Sequence, residues 1–86
     1  MQLVVFTSQS CAPCAQLKQS LEQVGLPDHM TYREVDVEQN PQQAMGYAVR
    51  SLPTIIVTDD DGIPVQTRTG SMSVSALEDF IRGARV

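Results

Sequence analysis

Cys11-Ala12-Pro13-Cys14 lies between an apolar run, Leu3-Val4-Val5-Phe6, and a stretch with helical periodicity. The run reads as a buried strand. The stretch places Cys14, Leu17, Leu21 and Val24 three or four apart, on one face of an amphipathic helix. A strand feeding a helix in this way calls for a second, parallel strand reached by a right-handed crossover. The junction therefore commits the chain to an α/β start. It also carries chemistry, because a CxxC at a strand-to-helix turn is a redox-motif pattern. Amide N–H groups at a helix N-terminus stabilise an anion, and a thiolate is the anion that matters.

Eighty-six residues set one domain, 1–86, as the expected count, with room for a modest core. Hydrophobic residues make up 42% and charged residues 19%, which is a globular balance. The net charge of −4 and the absence of a basic patch argue against a nucleic-acid partner. No apolar stretch approaches the ~20 residues that a membrane helix needs, and no signal-peptide pattern is visible. A cytoplasmic location and a monomer are expected. In that compartment two neighbouring cysteines are more often catalytic or metal-binding than structural.

The remaining elements follow from punctuation and periodicity. The first strand covers Gln2 to Phe6, and the first helix Ala12 to Val24, stopped by Gly25 and Pro27. A second strand spans Thr31 to Val37. Asn40, as N-cap, and Pro41, at the first helical position, open a short helix running to Val49. Thr54-Ile55-Ile56-Val57 is a β-branched strand, followed by a tight turn at Asp59–Gly62 and a strand from Ile63 to Thr69. Ser73 begins the last helix, which buries Leu77, Phe80, Ile81 and Ala84; Ser75-x-x-Glu78 is a competing capping-box start. The order βαβαββα implies a mixed four-stranded sheet with helices on both faces. Tyr47, Met45, Met72 and Phe80 read mostly as core, with Met72 at the edge of a groove. His29 and the three acids Asp59, Asp60 and Asp61 read as solvated turns.

On that architecture the sequence resembles the thioredoxin superfamily over most of its length. Phe6-Thr-Ser-Gln-Ser-Cys11-Ala-Pro-Cys14 looks like the thioredoxin active-site turn, with proline directly before the second cysteine. Asp36-Val-Glu-Gln-Asn-Pro41 looks like the entry to its middle helix. Tyr47-Ala-Val-Arg-Ser-Leu-Pro-Thr54 looks like the segment holding its cis-proline, and Thr69-Gly70 like the end of its last strand. The chain is of glutaredoxin-like length with thioredoxin-like motifs.

The resemblance implies a dithiol–disulfide oxidoreductase needing no cofactor or metal. Cys11, more exposed and at the helix start, is expected to attack a substrate disulfide, with a thiol pKa below the free reference of ~8.5. Cys14, one turn inside, resolves the mixed disulfide. Pro13 fits the first helical turn, where a missing N–H costs little. A cis Leu52–Pro53 bond is expected to offer the backbone of Leu52 to an extended substrate, with Gly70 and Ser71 on the far wall. A zinc site is a poor rival, because two cysteines and the single histidine fall short of four ligands. A structural disulfide across so short a loop removes little chain entropy. Arg50 and Arg68 are cations able to hold a carboxylate or a partner's acid, although surface solubility is the plainer reading.

Some positions depart from the family. Val5 stands where thioredoxins carry a buried aspartate, and Glu34 where they carry its companion lysine. Ser10 replaces the tryptophan before the first cysteine, and Ala15 the lysine after the second. Glu34 is one expected substitute in proton transfer. The leading function is reduction of protein disulfides, ribonucleotide reductase among them, with electrons from a thioredoxin reductase. One alternative is a glutaredoxin using glutathione, although Gln9-Ser10 and Gly70-Ser71 lack the usual glutaredoxin pattern. Another is a non-catalytic binding module.

Overall fold

The computed structural model describes residues 1–83. Its elements are β1 (Gln2–Thr7), α1 (Ala12–Gln23), β2 (Thr31–Asp36), α2 (Pro41–Gly46), β3 (Thr54–Thr58), β4 (Pro64–Thr69) and α3 (Val74–Gly83). The strands form one sheet in the order β2-β1-β3-β4. β1 and β2 are parallel, with Val5 opposite Glu34, as the α1 crossover requires. β3 runs antiparallel to both β1 and β4.

Alternation along the central strands divides the core into two layers. Leu3, Val5, Ile55 and Val57 pack on one face with Leu17 of α1 and Leu77, Phe80 and Ile81 of α3. Val4, Phe6 and Ile56 face the other way, with Val35, Ala44 of α2 and Tyr47 against them. Helices thus cover both faces, and β3 and all of β1 beyond Gln2 are buried.

Four local expectations are corrected. The second helix ends at Gly46 rather than Val49. Val49 donates its N–H to the Ala44 carbonyl at 2.9 Å, and Ala48 donates to Met45 at 3.0 Å, with Ala48 at φ +56°. That is a Schellman stop, with alanine in the left-handed position that glycine usually takes. Asn40 precedes this helix but does not cap it through its side chain. Its Nδ2 instead donates to the Asp36 carbonyl at 3.0 Å, closing the turn after β2. Met45 is 79% exposed rather than core, because a six-residue helix buries only Ala44.

Met72 is buried in the α1/α3 layer rather than at a groove edge. Ser73 caps α3, its Oγ accepting the Ala76 N–H at 3.1 Å, so the earlier of the two start signals prevails. Ala84, expected on the buried face of α3, lies outside the described residues.

Candidate functional site

β1 ends at Thr7, and Ser8 to Ser10 carry the chain to Cys11, the N-cap of α1. Cys11 is extended, at φ −104° and ψ 107°, so its side chain turns back over the first helical turn. Cys11 Sγ accepts the backbone N–H of Cys14 at 3.1 Å. Pro13 sits in that turn and has no N–H to contribute, as expected of proline there. The Cys14 amide thus aims a donor at the sulfur in the place where a serine or aspartate oxygen usually caps a helix.

The two cysteines are joined as a disulfide, with Cα atoms 5.2 Å apart. Their surroundings differ. Cys11 is half-buried at the surface, and Cys14 is only 1% exposed. Among the described residues no three His, Cys, Asp or Glu side chains gather to hold a metal ion.

The approach to β3 stands at the same end of the sheet as the cysteines. The Leu52–Pro53 peptide is cis, and Pro53 is fully buried while Leu52 is half-buried. Thr54 Oγ1 donates to the Ser51 carbonyl at 2.6 Å and pins the loop. Gly70, at φ +89°, donates its N–H to the Pro53 carbonyl at 2.9 Å. That bond draws Gly70 and exposed Ser71, as β4 exits, against Leu52–Pro53. The sheet register brings these parts to one end: Phe6 lies opposite Thr54, and Thr54 opposite Thr69. Gly70 needs its positive φ for this turn, which a side chain would strain.

Val5 is fully buried between Glu34 and Ile55, and offers no proton carrier. Glu34 reaches outward to Lys18 of α1, with Lys18 Nζ 3.0 Å from its Oε2 and both side chains partly exposed. This pair was not visible in the sequence, since it depends on the β1–β2 register and on how α1 lies over it. Glu34 also helps burial hold the Tyr32 hydroxyl above its usual pKa, burial being the larger cause. His29 is exposed and sits at the far end of the sheet, its carbonyl accepting from the Met1 amine at 3.3 Å.

The family profile described as Thioredoxin matches residues 1–83. The chain belongs to the thioredoxin family. A thioredoxin of Rhodospirillum rubrum is 29% identical over 83 residues, covering 94% of this chain and 79% of that one. A thioredoxin of Methanocaldococcus jannaschii is 34% identical over 62 residues, covering 70% of this chain and 73% of its own. Among solved structures, a mutant thioredoxin from Halobacterium salinarum superposes with a TM-score of 0.84 at 29% identity, covering 96% of this chain and 73% of that one. With Cys11 and Cys14 paired at the helix start, the thioredoxin assignment makes this chain a thiol–disulfide oxidoreductase. Its substrates are disulfide-bearing proteins, and a reductase serves it. No described helix is long and apolar enough to cross a membrane.

Proposed function

We propose that this thioredoxin reduces protein disulfides with Cys11 as nucleophile and Cys14 as resolving thiol. The observation that carries the reading is the asymmetry of the pair. Cys11 is half-buried at the surface and its Sγ accepts a helix-terminal amide, whereas Cys14 is enclosed. Ionised Cys11 attacks one sulfur of the substrate disulfide and expels the other as a thiolate, which takes up a proton. Cys14, on losing its proton, attacks Cys11 in the mixed disulfide. The substrate leaves with two thiols, having gained two electrons and two protons, and Cys11–Cys14 is oxidised.

Leu52, held beside Pro53, offers backbone to an extended substrate, and Gly70 and Ser71 form the facing wall. A thioredoxin reductase returns the electrons. The chain acts as one domain, a monomer in the reducing cytoplasm, where such pairs turn over rather than persist.

The test is a disulfide reduction assay with two electron supplies: NADPH with thioredoxin reductase, and NADPH with glutathione and glutathione reductase. Turnover with the first supply is expected. Turnover with the second alone would make the protein a glutathione-dependent enzyme instead. Cys14→Ser is expected to accumulate a covalent adduct with the substrate, seen as a mass shift that dithiothreitol removes. If Cys11→Ser accumulates that adduct instead, the roles of the two sulfurs are reversed.

A further inference from the structure

The charge of this chain is unevenly placed around its sulfurs. Asp and Glu outnumber Lys and Arg by 10 to 6. Yet no acid occurs in 8–17, in 48–54 or in 66–77, the segments that hold the cysteines, the Leu52–Pro53 loop and the β4 exit. Two cations do occur there, Arg50 and Arg68. Arg50 is exposed and stands two residues before Leu52. Arg68 stands two residues before Gly70, opposite Ile55, with its guanidinium 5.8 Å from the centre of the Phe80 ring.

The other described cations are engaged. Lys18 pairs with Glu34, Arg33 donates to Gln43 Oε1 at 2.6 Å, and Arg82 pairs with Asp79. Arg50 and Arg68 have neither an ion pair nor a hydrogen bond among the described residues. Asp36, the last residue of β2, and Glu38 just after it stand at this end of the sheet on the far side of β1 from β3.

We infer that the groove selects polypeptide disulfides flanked by carboxylates, with Arg50 and Arg68 as the two specificity-determining cations. This rests on the disulfide-reducing reading above and adds its substrate class. Arg50 precedes Leu52–Pro53 in the chain and Arg68 precedes Gly70–Ser71, and the Gly70–Pro53 hydrogen bond joins these two segments. They take no part in the electron transfer. They act on encounter and docking, through fields that reach about 8 Å at physiological salt. The guanidinium of Arg68 is steadied over Phe80 without losing its charge.

The experiment uses the reduced full-length protein and three synthetic peptide disulfides, identical but for Glu, Gln or Lys flanking the cystine. Each carries a fluorophore and quencher, and single-turnover reduction is followed by stopped flow. The Glu peptide is expected to react about tenfold faster than the Lys peptide at low salt, with the ratio collapsing toward one near ~0.5 M sodium chloride. Arg50→Gln and Arg68→Gln should each narrow the ratio, and the double variant should abolish it. Arg68→Lys should restore most of it. Asp60→Asn, at the far end of the sheet, serves as the control that leaves the ratio in place.

Equal rates for the three peptides overturn this inference and leave the oxidoreductase reading standing. A ratio that survives the double variant also overturns it. Reduction of none of them overturns both. Oxidised glutathione reacting faster than the Glu peptide, with the same dependence on the arginines, overturns the polypeptide assignment in favour of a small acidic disulfide.

Discussion

At one end of the sheet stand Ser10, Cys11, Ser51, Thr69 and Ser71; at the other stand Asp59, Asp60 and Asp61. Both ends are turns, and both point side-chain acceptors at backbone amides. At the first, the acceptor is a sulfur that can lose a proton and react. At the second, it is the Asp59 carboxylate, whose Oδ1 takes the N–H groups of Asp61 and Ile63, each at 2.9 Å. The difference teaches where this chain can afford negative charge. An acid beside Cys11 disfavours its thiolate by like-charge repulsion. Six residues of β1 separate the ends, ~17–20 Å, about twice the screening length at physiological salt. The acidic turn thus lends solubility without opposing ionisation of the thiol.

The largest effect that tests this division is on activity. Cys11→Ser should lower disulfide reduction more than about a thousandfold while leaving the thermal midpoint of the reduced protein nearly unchanged. Neutralising the far turn should do the reverse. Asp59→Ala removes an acceptor serving two amides and should cost about 1–2 kcal/mol in urea unfolding, with reduction rates intact. A slowed reaction in that variant breaks the separation of the two ends.

Thr58, beside the same turn, is fully buried, and its hydroxyl has no partner among the described groups. Thr58→Val keeps the shape and removes the orphan, so a gain of about 1 kcal/mol in the same unfolding assay is expected.

The smallest effect is a pH dependence. Asp60 Oδ1 lies 2.6 Å from the Met1 amine, and that hydrogen bond, with the charge of the amine, lowers its pKa below the ordinary aspartate value. A carboxylate depressed in the folded state adds stability above its unfolded pKa and loses it as pH falls through its folded value. Asp60 is fully exposed, so the slope is slight. It should appear only below about pH 4 and vanish in Asp60→Asn.

The parts that were legible before the structure are those whose chemistry is local. The CxxC turn, the Asp59–Gly62 hairpin and the β-branched β3 each carry their own instructions, and the first crossover follows from handedness. Gly62, at φ +82°, marks its turn because few other residues tolerate that conformation. The end of α2 was not legible, because its left-handed residue is Ala48, which looks like another helix former. The choice between Ser73 and Ser75 was undecided locally; the fold starts α3 after Ser73. At the site, Cys11, Cys14, Pro13 and Pro53 were readable as motifs. The Lys18–Glu34 pair and the tie from Gly70 to Pro53 arise only when distant strands come into register.

The hydrogen bond from Cys14 to Cys11 makes one proton a witness to the chemistry. A backbone amide shifts its resonance with the charge on the atom it donates to. Pro13 has no amide signal, so the Cys14 N–H stands alone in this turn as a donor to that sulfur. In a nitrogen-labelled sample, thiol, thiolate, mixed disulfide and closed disulfide each give this amide a different partner. A single cross-peak thus offers a running record of where the protein stands in its cycle, with no dye attached and no residue replaced.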